Sequence, residues 1–104
     1  MTPTARSLEK LRNEKWKPYV VETFNHFTKR RKDLFGFADI LALKDKEILA
    51  VQATSYSNIS SRVRKIEDAE DVGDVRKAGI RIEVWGWRKD PKKRKWVCRI
   101  VDLS

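Results

Sequence analysis

Cysteine, histidine and long apolar runs are nearly absent from this chain of 104 residues. Because Cys98 is the only cysteine, an intrachain disulfide and a thiolate metal cluster are excluded, and we expect this thiol to pack as a small core side chain. No stretch approaches the roughly 18 to 20 apolar residues that span a bilayer. The N-terminal segment MTPTARSLEK also lacks the apolar part of a signal peptide. Without repeats, linkers or low-complexity stretches, residues 1–104 are expected to form one soluble, cytoplasmic domain.

Acidic residues are also scarce relative to basic ones. The chain has 15 Asp and Glu against 24 Lys and Arg, which gives a formal charge of +9. A surplus this large on one small domain exceeds what solubility requires and indicates a polyanionic partner. We therefore expect the chain to bind nucleic acid, within a broader class that includes ribosome-like and heparin-like binding.

Hydrophobic periodicity divides the chain into predicted helices and strands. Helical spacing, capping residues and glycines predict helices over 3–15, from residue 59 onward and over 74–78, with Gly73 as an interruption and Gly79 as a stop. Alternating apolar residues predict strands over 19–27, 37–43, 48–54, 80–87 and 96–103, with a basic loop at 28–33. The order is helix, three strands, helix and two strands, which indicates an α/β or α+β sheet domain.

Two oxygen-bearing side chains fall on strands that otherwise look like core. Asp39 shares a face with Phe37 and Leu41, and Gln52 ends the next apolar run. The connector 44–47 is short and charged, so the two runs form a predicted antiparallel hairpin. Its geometry brings Asp39 and Gln52 side by side, where they could hold a metal ion.

This order of elements, with an Asp on the second strand and Gln52-Ala53-Thr54 ending the third, resembles the PD-(D/E)XK nuclease superfamily. The segments DLFGFADILAL, AVQATS and RVRKI are similar to those of its small phage and prophage members. The resemblance covers nearly the whole chain and implies a restriction-endonuclease-like or resolvase-like fold with a mixed central sheet. It also implies a Mg²⁺-dependent or Mn²⁺-dependent DNA endonuclease.

The resemblance further implies roles for individual residues. Asp39 and Gln52 match the two metal-binding positions, because the methyl-directed restriction enzymes also carry Gln at the second. Thr54 stands where the family usually has the lysine that activates water, so Lys65, or Arg62 one turn earlier, is the substitute cation. Glu22 is a third candidate metal ligand, with Glu9 on the first helix as its alternative.

Basic residues in three places are expected to hold the DNA backbone. They are Lys29, Arg30 and Arg31 in the basic loop, Arg62 and Arg64 on the second long helix, and Lys92, Lys93 and Arg94 in the last hairpin. A homodimer is compatible with cleavage of two strands, because one chain offers one site.

Structural interpretations stand beside several of these functional ones. Glu22 could instead pair with Lys29, Arg31 or Lys65, and His26 is expected on the surface. The tryptophans Trp85 and Trp87 could stack on bases, but packing against a helix is preferred, while residues 80–84 could equally form a dimer edge.

Two rival functions remain open at this point. The chain could be a noncatalytic nucleic-acid-binding module that retains the nuclease fold, with Thr54 marking the lost lysine. It could also be a basic structural or RNA-binding protein without nuclease ancestry, in which case Asp39 and Gln52 should lie apart.

Overall fold

The first element is the N-terminal helix that the sequence predicts. Helix α1 spans Pro3–Asn13 in the computed structural model, which describes residues 1–104. The Thr2 hydroxyl caps it by accepting a hydrogen bond from the Ala5 amide at 3.1 Å, and Pro3 occupies the first turn, where no amide donor is needed. The predicted helix is confirmed except at its C-terminal end, where Lys15 adopts a left-handed φ of 71°.

Seven strands follow, and five of them form a mixed central sheet. In chain order the strands are β1 Lys17–Val20, β2 Thr23–Asn25, β3 Arg30–Lys32, β4 Ile40–Lys44, β5 Glu47–Ser55, β6 Arg81–Asp90 and β7 Lys95–Asp102. The sheet order is β1-β4-β5-β6-β7, and only the β5–β6 pair is parallel. The predicted hairpins β4–β5 and β6–β7 are both confirmed, and the molecule is an α+β domain.

The predicted strand over 19–27 and the predicted loop over 28–33 are wrong. Strand β1 ends at Val20, and β2 pairs antiparallel with β3 in a separate two-stranded ribbon. The Val21 amide still donates to the Asp39 carbonyl at 2.9 Å, after which the chain leaves the central sheet. All six residues of β2 and β3 are exposed. Neither strand therefore has a buried face that would give its sequence an informative apolar alternation.

Helices cover both faces of the central sheet. Helix α1 lies on one face, where its Leu11 packs with Ile40, Ala42, Leu49, Val51, Trp85 and Trp87. Helices α2 Ile59–Glu67 and α3 Val72–Lys77 lie on the other face, over Ala50, Ile82 and Val84. The packing interpretation of Trp85 and Trp87 is thus confirmed. The alternative of a dimer edge at residues 80–84 is wrong, because β6 lies inside the sheet.

The chain turns into helix directly after β5, as predicted. A 3₁₀ turn at Tyr56–Asn58 leads into α2, and Gly86 on the neighbouring strand makes this approach possible. A Cβ atom at Gly86 would lie 2.3 Å from Ile59 Cδ1 and 3.3 Å from Tyr56 Cα. The predicted interruption at Gly73 is wrong, since this residue lies within α3. None of the three helices combines the length and the apolar character needed to cross a membrane.

Candidate active site

A cleft of about 680 Å³ opens at the edge of the sheet where β1 and β5 end and β4 begins. The register explains why functional residues meet there. Val20 pairs with Ile40, and Ile40 pairs with Val51, so the residues just beyond these positions share one edge. The charged residues that line the cleft are Glu22, Arg31, Asp33, Asp39, Arg62 and Lys65.

Asp39 and Gln52 lie side by side in this cleft, as the hairpin predicted. Asp39 precedes β4 by one residue but continues its ladder, because its amide donates to the Val51 carbonyl at 2.9 Å. The Gln52 side-chain amide donates to Asp39 Oδ2 at 2.7 Å, and the Ala53 backbone amide donates to the same oxygen at 2.9 Å. Both side chains are buried, and Gln52 Oε1 has no hydrogen-bond partner.

Three carboxylates converge at the floor of the cleft. One oxygen each of Glu22, Asp33 and Asp39 lies within 4.8 Å of the other two, so these groups could hold a metal ion. The pKa of Asp39 is raised from 3.8 to about 7, mainly by burial and also by the nearby Glu22 and Asp33, while the Ala53 amide opposes the rise. The cluster therefore stores like-charge repulsion that a cation would relieve.

Asp33 belongs to this cluster but was not predicted as a metal ligand from the sequence. The predicted metal ligands were Asp39, Gln52 and Glu22, and Asp33 was placed in a basic loop. The alternative ligand Glu9 is exposed and lines a different groove, on the α1 face. One signal was available, since Asp33 is the only acidic residue between Glu22 and Asp39. It became interpretable only once β2 and β3 were known to fold back and return the chain to the cleft.

The substitute cations also reach the cleft. Lys65 Nζ donates to Asp33 Oδ2 at 2.8 Å, so α2 places this ammonium group beside the carboxylates. Arg62 lies one turn earlier and also lines the cleft. Thr54 is buried there, at the position where the resemblance implies a lysine. The structure thus brings together every residue predicted for chemistry: Asp39, Gln52, Thr54, Lys65 and Glu22.

Unpaired polar atoms are concentrated in this cleft. Three buried side-chain atoms of the molecule have no hydrogen-bond partner: Asp33 Oδ1, Gln52 Oε1 and Arg62 Nε. All three belong to residues that line the cleft. Buried polar atoms in folded proteins are nearly always hydrogen-bonded, so an exception calls for an explanation such as a bound ion. Here two acceptors suit a cation and one donor suits an anion.

The predicted DNA-binding residues other than Arg62 lie on two projecting arms and one helix, and of these only Arg31 also lines the cleft. The β2–β3 ribbon carries Lys29, Arg30 and Arg31 and leaves the sheet at its β1 edge. Lys92, Lys93 and Arg94 form the turn between β6 and β7, at the opposite side of the sheet. Because Ser55 pairs with Trp87 and β6 runs on to Asp90, this turn projects about 10 Å past the end of β5. Arg64 is exposed on α2.

Glu22 also has the ion-pair partner that its structural interpretation required. Arg31 approaches Glu22 at 3.7 Å, but two-thirds of the Arg31 side chain is exposed to solvent. An exposed pair at this distance contributes little stability. Ion pairing with Arg31 therefore leaves Glu22 free to act with the other two carboxylates.

The chain was compared with known proteins at the level of family, sequence and structure. No family model, no curated protein and no solved structure matches it. The residues of the cleft and their geometry are therefore the basis for inferring a function.

Proposed function

We propose that the protein is a divalent-metal-dependent DNA endonuclease, a resolvase-like phosphodiester hydrolase with a restriction-endonuclease-like fold. One observation carries the proposal. All three buried, unpartnered side-chain atoms of the molecule line a single cleft, two as acceptors beside three carboxylates and one as a guanidinium donor. A divalent cation together with a phosphate group would satisfy this combination, as neither ligand would alone.

The donor set fits Mg²⁺ or Mn²⁺. Every candidate ligand is an oxygen, from Asp39, Asp33, Glu22 and the Gln52 side chain, and no histidine or cysteine lines the cleft. Oxygen ligands with several negative charges suit hard cations. When bound, such a cation would polarise the scissile phosphate and lower the pKa of a bound water molecule.

The basic residues of the cleft would act on the phosphate and the water. Arg62 would donate hydrogen bonds to a phosphate oxygen, which would satisfy its buried Nε. Lys65 would orient the attacking water while its contact with Asp33 holds that carboxylate in place. This assigns to α2 the role that the family resemblance gives to a lysine on the strand, where Thr54 stands.

DNA is the substrate that the surface charge supports. The net charge is +9, and the two basic arms flank the cleft at opposite sides of the sheet. Phosphate contacts along these arms would position a nucleic acid strand without reading its sequence. A homodimer remains a prediction for cutting two strands.

The alternative is a noncatalytic DNA-binding module, and one observation favours it. The Lys65 ammonium group is already engaged by Asp33 at 2.8 Å, and Thr54 offers no second ammonium group. The other rival, a basic protein without nuclease ancestry, required Asp39 and Gln52 to lie apart. Their hydrogen bond of 2.7 Å contradicts that requirement.

Cleavage of supercoiled plasmid and of branched DNA tests the proposal. Wild type, Asp39→Asn and Glu9→Gln are incubated with Mg²⁺, with Mn²⁺ and with a chelator. We expect metal-dependent cleavage by wild type and by Glu9→Gln, a matched acidic control on the other face, and none by Asp39→Asn. Equal background from all three proteins would contradict a nuclease, and retained DNA binding in that case would favour the noncatalytic module.

A further inference from the structure

The turn at the end of the β2–β3 ribbon carries an aromatic side chain that is almost fully exposed to solvent. Phe27 is 98% exposed, more than any other large hydrophobic residue in the chain. The turn that carries it is internally hydrogen-bonded, because Asn25 Oδ1 accepts from the Phe27 amide at 2.9 Å and from the Thr28 amide at 3.2 Å. The fold thus holds Phe27 outward on a defined turn.

The charge around Phe27 indicates what this aromatic ring contacts. Residues 23–32 include Lys29, Arg30, Arg31 and Lys32 but no acidic residue. An aromatic ring among cations is the usual combination for single-stranded nucleic acid, where the ring stacks on a base and the cations contact phosphates. A fully paired duplex keeps its bases stacked on one another, so an unpaired base is the partner that this ring fits.

The ribbon is also connected to the cleft at both of its ends. Glu22 precedes β2 and Asp33 follows β3, and both belong to the carboxylate cluster. Three strand residues extend the ribbon by roughly 10 Å, which is about three base steps along a stacked strand. A base stacked on Phe27 would therefore lie a few nucleotides from a phosphate in the cleft.

We propose that the β2–β3 ribbon is a base-stacking arm that directs the protein to DNA with unpaired bases beside the phosphate in the cleft. This inference rests on the proposed nuclease function for its substrate. It adds a binding residue, Phe27, and a substrate class: gapped, bulged or branched DNA in preference to continuous duplex.

Binding is measured in the presence of a chelator, so that base stacking on Phe27 is tested without metal-dependent DNA cleavage. Fluorescence anisotropy would give the affinities of wild type, Phe27→Ala, Phe27→Leu and Phe27→Trp for a paired duplex and for the same duplex with a short single-stranded gap. We expect wild type to prefer the gapped DNA. Both nonaromatic variants should lose gapped-DNA affinity by roughly 5-fold to 100-fold, with little change for duplex, while Phe27→Trp keeps the preference. Tyr19→Leu, which removes a half-exposed aromatic ring on β1, should bind like wild type.

Several results would overturn the stacking arm. These are the absence of a gap preference in wild type, the same preference in Phe27→Ala, or an equal loss of affinity for both DNAs. Binding to anionic lipid vesicles that depends on Phe27, without any effect on DNA, would assign the ring to a membrane surface and also overturn it. Unchanged thermal unfolding of the variants is expected, because Phe27 packs against nothing.

Cleavage with Mn²⁺ distinguishes failure of this inference from failure of the nuclease proposal. If wild type cleaves gapped DNA and Phe27→Ala cleaves it equally fast, the nuclease stands and the stacking arm fails. If no protein cleaves but the gap preference depends on Phe27, the arm stands on a binding module and the nuclease fails.

Discussion

The two faces of the central sheet each hold one buried carboxylate, and the two differ in how they are satisfied. On the α1 face, Glu83 accepts from Arg81 at 2.8 Å and from the Trp85 indole at 2.9 Å, one donor for each oxygen. On the α2 face, Gln52 and Ala53 both donate to the same oxygen of Asp39, and the Glu22 and Asp33 carboxylates lie beside it. The first arrangement is complete within the protein, whereas the second is one that a cation could complete.

The grooves on these two faces of the sheet repeat the contrast. The α1-face groove of about 430 Å³ contains charged residues, but the Arg6 guanidinium lies 3.7 Å from the centre of the Trp96 ring, and Lys10 pairs with Glu14. None of the buried unpartnered atoms belongs to it. The presence of charged residues therefore does not distinguish the two grooves. Unsatisfied polar atoms do, and they favour the α2 side as the ligand site.

The largest expected effect is on the free energy of unfolding, which should change in opposite directions when Asp39 and Glu83 are each replaced by the uncharged amide. We expect Asp39→Asn to stabilise the metal-free protein at pH 8, because it removes a buried charge whose pKa is raised from 3.8 to about 7. At about 1.4 kcal/mol per pKa unit, the gain is on the order of 4 kcal/mol. Glu83→Gln should instead destabilise by about 1 to 3 kcal/mol, because it weakens a satisfied buried contact. Urea unfolding in a chelator measures both changes.

The pH dependence of the free energy of unfolding shows whether Asp39 stabilises or destabilises the folded protein. Below pH 3.8 Asp39 is protonated in the folded and unfolded states, so its ionisation does not lower the free energy of unfolding. Between pH 4 and about 7 only the folded state retains the proton, and stability attributable to Asp39 falls as the pH rises. Above about pH 7 the full cost is present. Equal stability of wild type and Asp39→Asn at pH 8 would contradict the strained carboxylate cluster.

The next effect compares two lysines that each pair with a carboxylate. We expect Lys65→Ala to slow Mn²⁺-dependent DNA cleavage by about 100-fold, because it removes the ammonium group that would orient the attacking water. Lys10→Ala, on the α1 face, should cleave at the wild-type rate. Single-turnover rates at saturating protein measure the chemical step without the contribution of binding. A Lys65→Ala rate within twofold of wild type would remove this residue from the proposed mechanism.

Below about pH 7, the affinity for a divalent metal should rise about tenfold for each pH unit. One proton must leave Asp39 before a cation binds, so the affinity for Mn²⁺ should rise from pH 5 and level off above about pH 7. Titration calorimetry in buffers of different ionisation enthalpy measures both the affinity and the proton released. Glu9→Gln should show the same profile. A flat profile in wild type would mean that Asp39 is not a ligand.

Sequence was sufficient for the parts of the site that lie on buried strands. The hairpin carrying Asp39 and Gln52 was predictable because apolar alternation continues up to both residues and the connector is short. Lys65 was predictable because α2 begins almost directly after β5, so a basic side chain on this helix can reach back toward the strand end.

Asp33 was not predictable for the same physical reason that the ribbon was missed. Strands β2 and β3 bury no side chains, so no periodicity distinguishes them from a loop. Their turn depends on the Asn25 side chain accepting two backbone hydrogen bonds, which is a local geometric detail. Without that turn, the lone acidic residue Asp33 gives no indication that the chain returns to the cleft there.

The smallest expected effect concerns the α1-face pair of Lys10 and Glu14. Both side chains are about one-third to one-half exposed, at 33% and 44%, so Lys10→Ala should lower the free energy of unfolding by less than about 0.5 kcal/mol. Urea unfolding with and without Mn²⁺ measures this change, and the metal should stabilise the variant and wild type equally. A loss of metal stabilisation in Lys10→Ala would mean that charge anywhere on the domain tunes the site. The expected result instead confines the metal dependence to the cleft, where Asp33 Oδ1 and Gln52 Oε1 have no hydrogen-bond donor.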